Sequence, residues 1–509
     1  MSNIDPRWGS WAQAPAPIPE SEYKETYHCD VAIVGAGISG VACALRAAQN
    51  GLNVIVVEKF GKWSARGGNI GVLTSKYMRS RGYDNDLDKV CYEWVKRSAH
   101  RCDEEIVRLF LKNSGEAMDW LFDIVTGPEY GARPELQAAI YHGETFRETY
   151  GSHRFFDGPM AKKGLRPGAA DCVYAMYTES VKLGVKYLFN CPGEQLLKED
   201  GRVTGVAAHG EEGYVRVMAD KGVVLATGDI GGNDEMCEDL APLANRAAMK
   251  IYMPKGGNRG DGHRMGLWAG GAFEDGPFPL MIHPQAFHMA NYCFLFVDQK
   301  GKRFMNEDTF IEGKTTTMLR KHMKYCWSII DGEWTEKIPK SIPYGGGIFW
   351  ARDHAPQEEE FSEANDTRLL NNSLANGNAV EADTLEELAE KMGVPVDTFL
   401  ETVKRYNAMC AQGRDEDFGK RPELLFTIGD KPPYRALKVG PAVLAIVGGL
   451  KVGTDLGVRD ENDESIPGLY AIGNAAGGRY GVDYNMIIPG NSNGSALTFG
   501  YLLGNILAE

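Results

Sequence analysis

The ten cysteines of this 509-residue chain form no CxxC or CxxCH pair. The ligand sets of a c-type haem, a zinc ribbon or a ferredoxin-type cluster are therefore missing, and no metal is expected. Scattered single thiols fit a reducing compartment. Positive charge is also scarce, with 55 Lys and Arg against 69 Asp and Glu, a net charge of −14. An acidic surface disfavours nucleic acid and anionic membrane as partners. Long apolar runs are absent. The longest, around Pro441 to Leu450, is far short of the ~20 residues that span a bilayer. The opening MSNIDPRWGSW has no basic stretch leading into an apolar core and no twin arginine, so no export signal is read. There is no internal repeat and no low-complexity tract. The expectation is a cytoplasmic protein with neither a nucleic-acid nor a membrane partner.

What the chain has in excess is glycine, 61 of 509 residues, or about 12% against a usual ~7%. Such an excess suggests many tight turns and close backbone approaches, as around a large bound cofactor. A hydrophobic fraction of 43% and a charged fraction of 24% are ordinary for globular proteins. The length suggests about three domains, or two large ones.

Residues 1–28 read as a polar, Pro-rich arm packed on the body. Val31, Ile33 and Val34 predict a strand, followed by a helix from about Ser39 to Asn50 that Gly51 stops. Val54 to Val57 predict a second buried strand ending at Glu58, completing one βαβ half-unit of a doubly wound sheet. Residues 86–124 read as mainly helical, and 184–225 as short β segments with a turn at Glu199–Gly201. Asp383 to Lys391 and Val396 to Cys410 predict two amphipathic helices separated by Gly393 and Pro395. A last helix is predicted from about Gly494.

Five motifs stand out. In Gly35-Ala-Gly37-Ile38-Ser39-Gly40 the first glycine allows a tight turn, the second a close approach to a pyrophosphate, and the third tight helix–strand packing. Helix N–H groups then receive phosphate charge, and Glu58 can accept ribose hydroxyls, with Lys59 beside it. Gly67-Gly68-Asn69 is either a loop passing close to a flavin ring or a plain surface turn. Val223 to Gly228 is a buried strand ending in Ala226-Thr227-Gly228. Gly260-Asp261-Gly262 follows. Finally Gly473-Asn474 precedes Asn491-Ser492-Asn493-Gly494-Ser495, which open the last helix, and its N-terminus can stabilise negative charge on a reduced flavin.

Taken in order, these motifs together with His283-Pro284, GKRFMNE (301–307), ADTLEELAEKMGV (382–394) and the GLYAIGN…SALTFGYLLG end resemble the flavoprotein subunit family of fumarate reductase and succinate dehydrogenase. Its soluble relatives include 3-ketosteroid dehydrogenases and urocanate reductases. The resemblance covers about residues 28–509. It implies an α/β fold: a Rossmann-like FAD-binding domain from 1–275 and 437–509, with an inserted α+β cap domain at 276–436. It implies FAD held without a covalent bond, because no histidine stands beside Ala65 where the respiratory members carry one. It adds Gln195 and Leu497 to the expected cofactor contacts. Substrate is expected between the cap and flavin N5.

The chain departs from the fumarate reductases at their charged groups. The proton-donating cap arginine of that family falls on Ile311, a carboxylate-binding arginine near Ile487, and a carboxylate-binding histidine on Ala445. Only His283 is kept. A dicarboxylate buried there without those cations would cost several kcal/mol, so fumarate reduction is not expected. The tyrosine that ketosteroid dehydrogenases place before their Pro-Gly falls on Ile488. The expected cap is rich in aromatics (Phe287, Tyr292, Phe294, Phe296, Trp327, Trp334, Tyr344, Phe349, Trp350), mostly core, the rest available to line a pocket for a flat apolar ligand. Candidate groups for moving a proton or holding a carbonyl are Tyr480, Tyr484 and His283, the last for a pKa suited to neutral pH. His153-Arg154 is similar to a family segment near substrate. Arg303 and Glu307 read as a fixed ion pair.

The expected activity is reduction of an activated C=C bond in a small apolar substrate (an enone, a steroid, or a plant phenolic such as an isoflavonoid) by hydride transfer from flavin N5. One alternative is a 3-ketosteroid-type dehydrogenase working oxidatively. Another is a flavin electron carrier without its own substrate. Electrons are expected from an external donor: reduced flavin, a small redox protein, or NAD(P)H bound without a second βαβ motif.

Overall fold

The structure is a computed structural model that describes residues 5–139, 150–251, 254–288, 293–344, 350–352 and 361–509. Tyr292, Phe349 and the side chain of Trp350, named above as cap aromatics, lie outside the described residues.

The main sheet is built on the strand Tyr23–Val34. On one side it pairs in parallel with Val54–Val57, and that strand pairs with Lys186–Leu188. On the other side it pairs in parallel with Gly213–Leu225, followed by Ser465–Ala471 and Gly457–Arg459. Val31, Ile33 and Val56 are fully buried, as expected of parallel strands covered on both faces, whose sequence reads as a continuous apolar run. The helix Ile38–Gln49 packs on this sheet between Gly37 and a left-handed Gly51. The last helix lies beside it and runs Asn491–Ile506, three residues earlier than expected, because Gly490 at φ +78 supplies its turn-in.

Two β expectations need correction. The first strand starts at Tyr23, so the arm ends near residue 22. Its outer half is polar and lacks an apolar signature, but the strand Gly213–Leu225 supplies a partner for it, pairing Tyr23 with Tyr214 and His28 with Met218. Arg216 also sits 4.0 Å from the Tyr23 ring centroid. Likewise the β elements of 193–225 are not short. Gly193–Glu199, Arg202–Gly210 and Gly213–Leu225 form a continuous antiparallel meander. The arm itself stacks Trp8 on Trp11, with Phe273 beside them.

A second, antiparallel sheet joins Leu295–Val297, Cys326–Ile330, Tyr434–Val439 and Ala379–Ala382. The helices Leu385–Met392 and Val396–Gln412 cover one face, with Trp327, Leu388, Phe399 and Tyr406 in a shared core. Thr384 caps the first helix by accepting the Glu387 N–H, and Gly393 ends it. Phe294 and Trp334 belong to a neighbouring cluster and Phe296 to another, so these aromatics are core. Arg303 pairs with Glu307 at 2.8 Å as expected, and also with Asp415 at 2.8 Å. The strand Leu280–His283 pairs with Ala442–Ile446.

Candidate active site

The Gly35–Gly40 turn sits where strand gives way to helix. Gly35 has φ +110, and a Cβ there would stand 2.5 Å from the Ala226 carbonyl oxygen. The third glycine is equally constrained, since a Cβ at Gly40 would meet the Gly35 oxygen at 2.0 Å. Above Gly37 the space is open: the nearest atom to a Cβ would be Ser64 Oγ at 3.9 Å. The helix that starts there has no side-chain cap, so its first N–H groups are offered to a ligand. Glu58 closes the turn from below, accepting the Ala36 N–H at 2.7 Å and the Phe60 N–H at 2.9 Å. Burial pushes its carboxyl above the usual range, against the pull of those N–H groups and Lys59. Lys59 pairs with Asp261 at 2.7 Å, and Arg264 takes the other oxygen. Burial would raise Asp261, but these two cations hold it low. Thr227 accepts the Gly262 N–H at 3.1 Å, tying the strand end to the Gly260–Gly262 turn. Gln195 instead donates to the Ala16 carbonyl of the arm.

The Gly67–Asn69 loop is clamped to the last helix. Asn493 Nδ2 donates to the carbonyls of Asn69 (2.9 Å) and Arg66 (3.2 Å). Asn69 Nδ2 donates to Gln137 Oε1 (3.0 Å) and Ser152 Oγ (2.7 Å). Ser492 Oγ donates to Asn474 Oδ1 at 3.1 Å. Leu497 is fully buried on the same helix. Thus Gly67, Gly68, Asn69, Gly473, Asn474 and Asn491–Ser495, remote in sequence, meet around one uncapped helix N-terminus.

The proton-transfer candidates separate into distinct settings. Tyr480 is fully buried, stacks on Trp94 at 5.5 Å, and donates to Asn491 Oδ1. Asn491 passes the tie on to the Asn485 and Ile488 carbonyls, so Tyr480 fixes the loop entering the last helix. The Tyr484 hydroxyl has no hydrogen-bond partner of good geometry among the described residues. It faces the N–H groups of Ser492 and Asn491, and burial raises its pKa well above the ordinary phenol value. His283 Nδ1 lies 3.3 Å from Gln285 Oε1, while Nε2 is buried without a partner among the described residues. Burial pushes this imidazole down to about 4. That corrects the neutral-range pKa expected from sequence: His283 is a neutral acceptor at pH 7. His153 is fully buried, with its ring nitrogens at Ser75 Oγ (2.9 Å) and the Gly151 carbonyl (3.1 Å). Arg154 lies over the Phe156 ring and, with Arg166, flanks Gly68.

The positions where the family resemblance expects cations, Ile311, Ala445 and Ile487, are apolar and buried. Ala445, Ile487 and Ile488 share a buried cluster with Tyr480 and Tyr484, and Met281 packs against it. Ile311 is buried in the first turn of the helix Ile311–Arg320. One residue on stands Glu312, which sequence reasoning missed. Its Oε1 has no partner among the described residues. Burial raises its carboxyl to about 8, with Asp483 adding to the rise and Arg97 opposing it. The only signal for Glu312 was its position beside Ile311. Arg166, Glu274 and Arg479 were also missed, since none stands in a familiar motif.

The cradle fits FAD. The open space over Gly37 and the uncapped helix suit the pyrophosphate, and Asn258 Nδ2, buried beside Gly228 without a partner among the described residues, is a further donor. The comparisons agree. The FAD binding domain family matches residues 30–494. A vinyl phenol reductase of Lactiplantibacillus plantarum is 29% identical over 94% of this chain and 96% of its own length. A fumarate reductase (cytochrome) of Shewanella frigidimarina is 26% identical over 94% of this chain and 77% of its own. Among solved structures, a 3-ketosteroid-Δ4-(5α)-dehydrogenase of Rhodococcus jostii has TM-score 0.70 at 24% identity, covering 96% of this chain and 98% of that one. At that identity it speaks for the fold alone. Among the described residues no helix is long and apolar enough to cross a membrane.

Proposed function

This chain belongs to the FAD binding domain family, and from that premise we propose that it is an oxidoreductase that reduces an activated C=C bond in an apolar, cyclic or aromatic substrate, with FAD held non-covalently. Residues 1–275 and 437–509 would hold the cofactor and 276–436 would form the cap. The observation that carries the reading is the buried apolar wall that includes Ala445 and Ile487, with Ile311 also buried. Those are the positions where the resemblance would put the cations of a dicarboxylate site, and leaving carboxylates unpaired there costs several kcal/mol. Similarity to a vinyl phenol reductase over nearly the whole of both chains favours an aryl-conjugated alkene within that class.

When bound, FAD supplies hydride to the electron-poor carbon of the alkene. The chain's own groups do the rest. Gly67–Asn69 and Asn491–Ser495 orient the ring, and the apolar wall excludes water, strengthening every polar contact inside. The neighbouring carbon takes its proton from Tyr484, whose hydroxyl has no acceptor of good geometry among the described residues; Glu312 lies close enough that its ionised form would raise the Tyr484 pKa further, and burial favours its protonated form. His283, neutral with Nε2 as an acceptor, holds a substrate hydroxyl. Electrons come from an external donor: reduced flavin, a small redox protein or NAD(P)H.

The test is anaerobic. The purified holoprotein is reduced chemically, and its reoxidation is followed after adding fumarate, urocanate, a 3-keto-4-ene steroid, a vinylphenol, a hydroxycinnamate or an isoflavonoid. Rapid reoxidation by one apolar member supports the reading. Rapid reoxidation by fumarate overturns it.

A further inference from the structure

The loop Gly473–Arg479 carries a charge that the substrate chemistry does not use. Arg479 is fully buried. Its Nη2 donates to the carbonyls of Gly473 (2.9 Å) and Ala476 (3.1 Å) and approaches Asn474 Oδ1 at 3.4 Å, while Nη1 donates to Ser495 Oγ. Its Nε has no partner among the described residues. Those residues contain no carboxylate within ion-pair distance of it. A guanidinium does not give up its proton in a protein, so this is a buried cation whose neighbours are carbonyls and hydroxyls. Neutral donors would satisfy the same oxygens without the desolvation cost of a charge. Three of its partners, Gly473, Asn474 and Ser495, are among the residues read as holding the flavin.

One carboxyl lies close enough to interact electrostatically. Glu274 accepts the Gly449 N–H at 2.9 Å and the Gly478 N–H at 2.8 Å, pinning the backbone next to Arg479. Other ionisable groups around the pair are committed elsewhere. Asp103, packed on Gly478, caps its own helix through the Glu105 and Ile106 N–H groups. His263 bonds the Gly448 carbonyl at 3.1 Å and is pushed down by burial. The hydroxyls of Tyr480 and Tyr484 are pushed up by burial, and Asp275 is exposed.

We propose that Arg479 is a positioning residue for FAD that also sets its redox poise: it fixes Gly473, Asn474 and Ser495 and biases the cofactor toward the reduced, more negatively charged state, while Glu274 opposes that bias. The proposal rests on the FAD reading but not on any substrate. Burial raises the Glu274 carboxyl to about 7, against the pull of the Gly478 and Gly449 N–H groups and Arg479. Its opposition therefore grows as pH rises through neutrality.

The experiment is a spectroelectrochemical titration of FAD in the holoprotein at pH 5.5 and 8.5, for wild type, Arg479→Lys, Arg479→Met and Glu274→Gln. Arg479→Met is expected to shift the midpoint to more negative potential, by at least a tenfold fall in the reduced-to-oxidised ratio, about 30 mV for a two-electron couple. Arg479→Lys is expected to stay near wild type. Glu274→Gln is expected to be more positive than wild type at pH 8.5 and equal to it at pH 5.5. If Arg479→Met does not retain FAD, Glu274→Gln decides. A Glu274→Gln midpoint equal to wild type at both pH values overturns the proposal. So does a retained Arg479→Met midpoint at the wild-type value, even with lower thermal stability. Wild-type protein that binds no FAD refutes the cofactor reading instead.

Discussion

Substituting Gly494 by alanine tests whether the clamp between the last helix and the Gly67–Gly71 segment holds the cofactor. A Cβ at Gly494 would stand 1.6 Å from the Gly71 carbonyl oxygen and 2.7 Å from its carbonyl carbon. Non-bonded heavy atoms settle near 3.5 Å, so helix and loop must part by roughly 1.5–2 Å. The obstacle is backbone on both sides, with no flexible side chain to give way. Parting strains the Gly71 N–H to Gly490 carbonyl bond (2.9 Å) and the Asn493 to Asn69 bond (2.9 Å), each worth about 1 kcal/mol. Overpacking adds about 1–3 kcal/mol, and the better helix propensity of alanine returns about 1 kcal/mol. The expected net loss is about 2–4 kcal/mol, concentrated at the N-terminus of the last helix. The assay is FAD content by absorbance together with the thermal midpoint of the FAD-free protein. Gly210→Ala, whose Cβ would find its nearest neighbour at an ordinary 3.4 Å, serves as control and is expected to keep its FAD. A Gly494→Ala protein with full FAD and an unchanged midpoint would refute the reasoning.

Tyr484→Phe is expected to keep FAD and slow substrate-driven reoxidation by about a hundredfold or more, the usual scale for losing a general acid; stopped-flow reoxidation reads this, and an unchanged rate removes Tyr484 from proton transfer. Glu312→Gln is expected to stabilise the protein at pH 8. The folded carboxyl titrates at about 8 and the unfolded one near 4.5, so its protonated form favours folding below pH 4.5 and that advantage is lost, at up to about 1.4 kcal/mol per pH unit, as pH rises to 8. Thermal midpoints of variant and wild type should converge near pH 4.5 and diverge toward pH 8; parallel curves would contradict the assignment. Ile487→Arg puts an unpaired cation into the apolar wall and is expected to lower the midpoint, with fumarate raising it again in the variant but not in wild type; absence of that ligand effect would show that Ile487 does not face the substrate.

The βαβ unit was legible in the sequence because its parts are local. A βαβ unit needs its glycines and its acid at fixed spacing, and strand Val31–Val34, helix Ile38–Gln49 and strand Val54–Val57 follow from apolar pattern and turn residues within thirty positions. The outer half of the first strand was not legible. Lys24, Glu25 and His28 carry no strand pattern, and only the meander ending at Leu225 gives them a ladder to join. His283 was found as a residue but misread as a chemical group, because its low pKa comes from burial.

By itself, then, the sequence determined the family and the FAD motif, since residue identity and spacing carry both. Tertiary structure decided what the remaining polar groups do. Among the described residues it buried Glu312 without a partner for Oε1, tied Tyr480 to Asn491 while leaving the Tyr484 hydroxyl facing the Ser492 and Asn491 N–H groups, and enclosed Arg479 among carbonyls. The physical reason is that the charge state and hydrogen-bond duty of a side chain depend on desolvation and on neighbours remote in sequence, and no local pattern records these.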